Sequence, residues 1–428
     1  MEYKNNQVLF ANDLNNLTNA ISKDYIINGF SIDLVSNTLQ IIVNPGRSKV
    51  NDYYYRSTIS NTLNISSPDT LLPRKDIVVL STSGSSIING NPDSASPSGF
   101  TGVQTVKPVP PTVPVGNMLL AELWINPGSS SLSSSDVTDK RVLKDFTIFN
   151  FDNFQGTNGS EKLINAQSIL NPGESIFILP GTYDITQTVT ISTQLNLFGS
   201  GDQTVFKAVS SLNSDLIQVP ASGSNLYNFS LDGNRTLQIT GYGLKLLGSS
   251  ITAQNVNARN ICSGGIIISG ANNLVIGGHF ENNKNEDIEF SDSTLSTVFG
   301  AQSNNSAIDA SRYAFWAYES KCCSFINCNF SSSISSLNGF GIAEDCYFVK
   351  LIGCSARGTL DKGFTIKGVF AGTIFYSQIE DCSATGASVG LTISSNSYKA
   401  LITGNIMLEN TINFVDQGSL TTSSINIF

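Results

Sequence analysis

A four-residue motif recurs along the second half of the chain and constrains its fold more than any other feature. In each copy a small or short polar residue is followed by an apolar residue, any residue and, in all but the last copy, a second apolar residue. Successive copies begin 22, 22, 27, 25, 24, 27 and 23 residues apart: GLKL at 243, GIII at 265, DIEF at 287, AFWA at 314, GFGI at 339, GFTI at 363, GLTI at 390 and NFVD at 413. Such a short alternation predicts a β-strand in every copy.

A second element runs in phase with the first. Its copies are NFSLDG at 228, NVNARN at 255, GHFENN at 278, GAQSNN at 300, CNFSSS at 328, CSARGT at 354, CSATGA at 382 and NIMLEN at 405. Two or more short strands per repeat, closed by turns rich in Gly, Asn and Ser, are typical of a solenoid of stacked coils. We therefore predict an all-β chain in which residues 146–428 form a right-handed, single-stranded parallel β-helix.

Residues 25–145 have short strands without that repeat and predict a separate small β-rich domain. The expected strands are TLQIIV (38–43), DIVVL (76–80) and MLLAELWI (118–125). The run KPVPPTVPVG (107–116) favours an extended polyproline conformation and cannot form an interior strand. Apolar residues at helical spacing within residues 11–22 predict a short helix, so residues 1–24 are expected to form an N-terminal helix or arm.

The charge of the chain limits its partners. A net charge of −9 without basic runs argues against nucleic acid and against anionic membranes. Residues 1–16 lack the basic and apolar segments of a signal peptide, and no apolar stretch reaches the roughly 20 residues that span a bilayer. We expect synthesis in a host cytoplasm without a signal peptide, and no membrane insertion.

Residues 43–141 carry four motifs in a characteristic order: VNPGRSKVND (43–52), LPRKDIVVL (72–80), PPTVPVGNMLLAELWI (110–125) and DVTDKR (136–141). This order resembles the N-terminal modules of viral tail and baseplate fibre proteins. The resemblance implies that the N-terminal domain attaches the protein to tail or baseplate proteins of a virus particle.

The stretch FILPGTYDITQTVTISTQLNLFGSGDQTVF (177–206) resembles the first coils of the pectate-lyase-like, or pectin-lyase-like, β-helix family. The preceding segment GSEKLINAQSIL (159–170) is expected to be a capping helix, with Ser160 as its N-cap. The family usually has an acidic run before this helix, and FDNFQGTNGSEK departs from that pattern.

The cysteines are expected to be buried free thiols in the core of the stacked coils. The count of seven is odd, and Cys328, Cys354 and Cys382 fall in one column of successive coils, where Asn228, Asn255 and Asn405 are expected in other coils. Stacked strands lie roughly 4.8 Å apart with side chains in parallel, whereas a disulfide needs facing Cβ atoms nearer ~3.8 Å. The only histidine, His279, offers no zinc-ligand spacing, and no metal or other cofactor is predicted.

The middle residue of each four-residue motif is predicted to point outward, because its neighbours face the core. That outward column contains Lys245, Glu289 and Trp316. Exposed aromatic side chains form flat platforms that suit the apolar face of a sugar ring. Trp316, with Tyr313 and Tyr318, is therefore a candidate ligand-binding platform, although an interface between copies of the chain would bury the same aromatics.

Carboxylates recur three residues after that column, at Asp292, Glu319 and Glu344 in successive coils, and Glu289 lies in the outward column itself. Neighbouring coils would hold carboxylates roughly 5 Å apart and alternate coils roughly 10 Å apart, which brackets the separations used by glycosidases. These four residues are candidate catalytic groups. The alternative is that they are solvated acidic turns, which are common on protein surfaces.

Together these features resemble a viral tail-spike or receptor-binding protein located in the virion tail. The family resemblance implies a homotrimer that binds host cell-surface polysaccharide and, in some members, cleaves it. Because the chain ends close to the last coil, we expect trimer contacts on the β-helix flanks and the N-terminal domain. Two hypotheses remain open at this stage: glycan binding without turnover, and glycan hydrolysis by two of the four carboxylates. A lyase that uses calcium is a weaker alternative, because no family lyase motif follows the first coil.

Overall fold

The structure is a computed structural model that describes residues 24–92, 108–144, 148–307, 312–343, 345–367, 374–419, 421–424 and 426–427. It divides the chain into two compact units, residues 1–147 and 148–428. The helix predicted at residues 11–22 lies outside the described residues. Within the described ranges, no helix combines the length and the apolar character needed to cross a bilayer.

The described residues of the N-terminal unit form three small antiparallel sheets. The first holds Tyr25–Gly29, Gly46–Val50 and Tyr53–Ser57, and the second holds Ile32–Leu34, Gln40–Val43 and Asn61–Asn64. The third holds Val137–Asp139, Met118–Ile125, Arg74–Ser81 and Gly84–Ile88, in that order across the sheet, with a short 3-10 turn at Ser134–Asp136. The three strands predicted in this half are confirmed, and residues 108–117 contain no strand, as their proline content predicted.

Two arginine–aspartate pairs account for two of the motifs in this unit. Arg74 and Asp76 are buried, with Nε and Oδ1 3.0 Å apart, and Arg74 also donates to the carbonyls of Ser66 and Ser67 at 2.6 and 2.7 Å. Arg141 pairs with Asp139 at 2.6 Å and donates to the Gly29 carbonyl at 2.7 Å. Each arginine thus ties a loop or a distant strand to its sheet through charge-assisted hydrogen bonds.

The second unit is a parallel β-helix, as predicted, with three columns of strands that we call sheets A, B and C. Sheet A contains Ile148–Asn150, Ser175–Phe177, Asn196–Phe198, Leu274–Ile276, Thr297–Phe299, Ser324–Ile326, Lys350–Ile352, Gln378–Glu380, Leu401–Thr403 and Thr422–Ser424. Sheet B contains Gly181–Ile185, Thr204–Ala208, His279–Glu281, Gln302–Asn304, Ser383–Thr385 and Ile406–Met407. Sheet C contains Val189–Thr190, Ile217–Val219, Leu244–Leu246, Ile266–Ile268, Ile288–Ser291, Tyr313–Tyr318, Val389–Ile393 and Ile412–Asp416.

Four longer strands pass from one sheet into the next. Asn225–Asp232 and Thr252–Arg259 belong to sheets A and B, whereas Asn329–Ile342 and Ser355–Ile366 belong to sheets B and C. A separate parallel pair, Ile374–Phe375 and Ser397–Tyr398, and 3-10 turns at Phe151–Asn153, Gly201–Gln203 and Arg235–Leu237 complete the described elements of this unit.

The capping helix spans Gly159–Ile169 and begins two residues earlier than it would if Ser160 were its N-cap. Its N-cap is Asn158, whose side-chain oxygen accepts from the Glu161 amide at 3.0 Å. The prediction that Ser160 caps the helix is therefore wrong. Ser160 is buried in the first turn, and its hydroxyl bridges the helix to the first coil by donating to the Gln187 carbonyl at 3.1 Å.

The eight copies of the four-residue motif are consecutive strands of sheet C, with paired residues in the predicted register. Their inward residues pack coil on coil, as the stacked rings of Phe315, Phe340 and Phe364 show, with centroids 4.7 and 5.0 Å apart. The repeat therefore determines both the strand positions and the core of this sheet.

The cysteine column is confirmed, with one correction. Cys328, Cys354 and Cys382 are free, buried and aligned in successive coils, and Asn405 continues their column. Asn228 and Asn255 are not in it: they lie one residue earlier, at left-handed turn positions, while Phe229 and Val256 occupy the buried column. Asn tolerates this backbone conformation, which places its side chain at the turn and the following side chain in the core.

Candidate functional site

The outward column of sheet C brings polar and aromatic side chains of successive coils together. The register pairs Gln218 with Lys245, Lys245 with Ile267, Ile267 with Glu289, Glu289 with Trp316 and Trp316 with Gly341. Paired residues of adjacent coils lie roughly 4.8 Å apart. The predicted column is thus confirmed, and it forms one continuous surface along the stack.

Trp316 lies along this surface because the next coil has a glycine at the same position. A Cβ atom on Gly341 would lie 2.3 Å from the indole ring, so no larger residue fits there without displacing Trp316. The ring of Tyr313 stacks against the indole with a centroid distance of 4.6 Å and an interplanar angle of 17°. Trp316 is half-buried, whereas Tyr313 is only 4% exposed. Tyr313 therefore packs against the indole and exposes almost no surface of its own to a ligand.

Tyr242 also lies over a glycine of the next coil, as Trp316 does. It belongs to the coil two before that of Glu289. A Cβ atom on Gly264, in the intervening coil, would lie 2.9 Å from the Tyr242 ring. The tyrosine consequently reaches across that coil, and its hydroxyl donates to Glu289 Oε2 at 3.4 Å. Two glycines thus allow two aromatic side chains to lie lengthwise on the sheet, one on either side of Glu289.

Glu289 is the carboxyl group of this surface whose pKa is displaced to near neutral pH. Burial raises the pKa of Glu289 to about 7, and the negative charge of Glu286 adds to the rise. The hydrogen bond from Tyr242 and the positive charges of Arg312 and Lys245 act in the opposite direction. Near neutral pH the carboxyl group is consequently divided between its acid and its carboxylate forms.

Two ion pairs flank Glu289. Arg312 Nη1 lies 3.2 Å from Glu286 Oε1, and the Glu286 side chain is only 2% exposed whereas that of Arg312 is 49% exposed. Lys245 Nζ lies 2.9 Å from Asp215 Oδ2 and 4.7 Å from the centroid of the Tyr242 ring. The site thus combines two ion-paired carboxylates with Glu289, whose pKa is raised to about 7.

The other predicted carboxylates lie elsewhere. Asp292 and Glu319 are exposed residues in left-handed backbone conformation, with φ of 55° and 48°, at the turn that follows their sheet C strands. This is the solvated-turn arrangement that the sequence left open. Glu344 lies outside the described residues. Tyr318, two residues beyond Trp316 on the same strand, is partly exposed and pairs with Ser291.

Sequence reasoning missed Glu286, Arg312 and Tyr242. The signal for Glu286 was present in NEDIEF (285–290), the motif copy that begins with Asp where the others have Gly, Ala or Asn, and in which a second acid, Glu286, comes directly before it. Arg312 and Tyr242 carried no comparable signal, because their roles depend on side chains that reach across coils.

Asp287 is the first residue of its motif copy, where the other copies have Gly, Ala or Asn, and it is fully buried beneath this surface. It accepts from Asn283 Nδ2 at 2.6 Å and from the Ser303 hydroxyl. Burial raises the pKa of Asp287 to about 7, although these hydrogen bonds oppose the change. Across the part of the chain that the structure describes, no three His, Cys, Asp or Glu residues are grouped so that they could hold a metal ion.

No family model and no curated protein matches the chain. Solved structures do resemble it over about 65% of its length. They include the A-module of the mannuronan C-5 epimerase AlgE4 of Azotobacter vinelandii, with 14% identity, 65% of this chain and 96% of that chain covered, and a TM-score of 0.41.

Two further structures are similar over the same share of this chain. ORF18 of Geobacillus virus E2 has 14% identity, 65% of this chain and 60% of that chain covered, and a TM-score of 0.40. The pectate lyase Pel9A has 16% identity, 65% and 77% coverage, and a TM-score of 0.38. At such identities the similarity concerns the fold alone.

Proposed function

We propose that this chain is a virus tail-spike or fibre protein that binds host cell-surface polysaccharide on the outward surface of sheet C. The observation that carries the binding proposal is the Trp316 indole, held along the sheet by Gly341 and backed by Tyr313. The N-terminal motifs at residues 43–141 support attachment to tail or baseplate proteins.

The chemistry of the surface suits a sugar chain. An aromatic ring offers an apolar face to the C–H groups of a pyranose, and the hydroxyl groups at the sugar's edge need polar partners. Arg312 in the same coil, Glu289 one coil away and Lys245 three coils away from Trp316 provide such partners. A polysaccharide running along the stack would meet this set of groups in consecutive coils, since the column is continuous.

Binding is tested with a panel of purified bacterial capsular polysaccharides and O-antigens, measured by calorimetry with the full chain. We expect Trp316→Ala to weaken binding at least tenfold, because the variant loses the stacking surface. Trp124→Ala, in the N-terminal unit, is the matched control and should bind as the wild type does. Unchanged affinity of Trp316→Ala, with an unaltered circular dichroism spectrum, would refute the platform.

A second candidate function is hydrolysis of the bound glycan. The observation that favours it is the pKa of Glu289, raised to about 7, near Glu286, which forms an ion pair with Arg312. A glycosidase needs one protonated carboxyl group to protonate the leaving oxygen and one carboxylate to act as base or nucleophile. Glu289 fits the first role and Glu286 the second.

Product sizing separates the two functions. The wild type is incubated with each polysaccharide that it binds, and chain length and new reducing ends are measured. If the hydrolase proposal holds, Glu289→Gln and Glu286→Gln should lower the rate by about 10²–10⁴-fold, whereas Glu281→Gln on sheet B should not. Retained binding with unchanged chain length would leave the binding function standing and reject hydrolysis. An unsaturated product would instead indicate elimination.

A further inference from the structure

Two edge strands of different sheets border one cavity in the N-terminal unit. Ile32–Leu34 is the outermost strand of the second sheet, and Val137–Asp139 is the outermost strand of the third. A cavity of about 420 Å³ has residues of both strands in its wall, together with Ala121 and Arg141. We call this cavity the edge groove. The edge of a sheet presents N–H and C=O groups with which another chain can pair.

The hydrogen-bond pattern directs the backbone groups of Ile32 and Leu34 toward this edge. In an antiparallel pair, alternate residues exchange hydrogen bonds with the neighbouring strand. The Asn44 amide donates to the Ser31 carbonyl at 2.9 Å, so Ser31 faces the neighbouring strand, and so does Asp33 two residues later. Ile32 and Leu34 face the opposite way. Within the described ranges, their N–H and C=O groups make no hydrogen bond.

The strand on the other side has the same arrangement. The Lys140 amide donates to the Leu120 carbonyl at 2.9 Å, so Val137 and Asp139 direct their backbone groups away from their own sheet. The Val137 amide donates to the Ser134 carbonyl in the 3-10 turn. For the Val137 carbonyl and both backbone groups of Asp139, the described part of the chain provides no partner. An extended backbone is the ligand that offers donors and acceptors to both sides at the spacing of a strand.

The side chains of the groove define the sequence that such a strand needs. Ile32 and Leu34 are partly buried and pack against the apolar core of the unit, whereas Asp33 is exposed. Directly opposite residues of paired strands share a face, so the residues opposite Ile32 and Leu34 should be apolar and the residue opposite Asp33 basic. Arg141 is paired with Asp139 at 2.6 Å, so these two charges offset each other and the groove is acidic overall.

We propose that the edge groove binds an extended segment of a tail or baseplate protein, which adds a strand to Ile32–Leu34 and has the pattern apolar, basic, apolar. Three residues of a strand occupy about 490 Å³, from a rise of about 3.4 Å, a spacing of about 4.8 Å and a thickness of about 10 Å, which is comparable with the cavity. Backbone hydrogen bonds supply the affinity of such a contact and side chains its specificity. The proposal rests on the attachment function proposed above and names its contact surface.

The first test measures binding of synthetic peptides to the full chain by calorimetry. The peptide STVKVTS, which has the predicted pattern, should bind, and STVEVTS should bind at least tenfold more weakly because its acidic residue meets Asp33. STVKVTS that is N-methylated on its three central residues keeps its side chains but loses amide donors, and it should not bind. Equal binding of the first two peptides, or undiminished binding of the methylated one, would overturn the proposal.

A charge exchange locates the contact. Asp33→Lys should reverse the preference, so that STVEVTS binds at least tenfold more tightly than STVKVTS. Asp184→Lys changes an exposed acid of the β-helix and should keep the wild-type preference. A preference that Asp33→Lys leaves unchanged would show that the peptide binds elsewhere. Binding that appears only in a variant lacking residues 1–23 would place the chain's own N-terminal segment in the groove and would equally overturn the proposal.

Virus particles that lack this protein separate the groove from attachment itself. The wild type should sediment with such particles, and Asp33→Lys should do so at least tenfold more weakly. If both sediment equally well, attachment stands and the groove is not its contact surface. If neither sediments although STVKVTS binds the wild type with the expected preference, the attachment function is rejected, and with it a tail or baseplate protein as the occupant of the groove.

Discussion

Replacing Asp287 by Asn should remove much of the pH dependence of β-helix stability between about pH 4 and pH 8. Asp287 is fully buried, and burial raises its pKa from 3.8 to about 7, with a smaller contribution from the charge of Glu286. Hydrogen bonds from Asn283, Ser303 and Ser306 favour the carboxylate but do not outweigh burial. The native protein therefore keeps this carboxyl group protonated at pH values where the unfolded chain has lost the proton.

The direction and size of the effect follow from proton linkage. Below about pH 4 the group is protonated in both states and does not disfavour folding. As the pH rises toward 7 the unfolded chain releases a proton that the native state retains, so the free energy of unfolding falls. A difference of about three pKa units corresponds to a loss of about 4 kcal/mol, complete above pH 7. Asp287→Asn retains the size and the acceptor oxygen but does not titrate.

The assay uses the two tryptophans. Trp316 is in the β-helix and Trp124 in the N-terminal unit, so in a Trp124→Phe background the fluorescence reports on β-helix unfolding alone. Urea titrations at intervals from pH 4 to pH 8 give the free energy of unfolding for this background with Asp287 and with Asn. The difference in free energy of unfolding between the Asn variant and the background with Asp287 should change by about 4 kcal/mol in favour of the variant from pH 4 to pH 8.

A matched control separates this effect from the loss of any carboxylate. Asp292→Asn changes an exposed turn residue and should alter the pH dependence little. If Asp287→Asn and its background lost stability in parallel as the pH rose, the buried carboxyl group would not be the source of the effect, and the reasoning would be wrong.

Further outcomes follow from close contacts and burial. Gly341→Ala should weaken polysaccharide binding as Trp316→Ala does, because the added methyl group displaces the indole, and near-ultraviolet circular dichroism should report the altered ring environment. In the native protein a thiol reagent should label Cys322 quickly and the six buried cysteines only after unfolding, as mass spectrometry of labelled peptides would show. Asn158→Ala should lower the free energy of unfolding by about 1 kcal/mol through loss of the helix N-cap, measured by urea titration.

Most of the β-helix could be predicted because the spacing of the repeat determines which residues of neighbouring coils are paired. The motif of sheet C alternates inward and outward residues, so its spacing alone identified the paired residues from Lys245 to Val415. Sheet A had no such signal. Its three-residue strands from Ser175 to Ile352 have one buried residue each, as in Ser324–Ile326, and their outward third residues are apolar, which removes the contrast between the two faces.

The site was predictable in part, for a related reason. Trp316 and Glu289 lie in the outward column, and alternation within the strand was enough to find them. Tyr242 and Arg312 belong to the site through the reach of their side chains toward neighbouring coils. The reach of Tyr242 depends on the absence of a side chain at Gly264, which is in a different coil. A pattern within one strand does not contain this information.

The copy of the motif at 287 shows how a departure from the repeat can mark a site. Gly, Ala or Asn begins the other copies, because this position lies against the next coil: a Cβ on Gly265 would lie 2.5 Å from the Asp287 carbonyl oxygen. Asp287 instead has its carboxyl group in the core, next in sequence to Glu286 and two residues before Glu289. The charge of Glu286 raises the pKa of both Asp287 and Glu289, in addition to the larger effect of burial, and a glycine at position 287 would leave only Glu289 under that influence. If Asp287→Asn lowers the pKa of Glu289, measured from the pH dependence of polysaccharide binding, the buried residue acts on the site through its charge; if that pKa is unchanged, its effect is confined to stability.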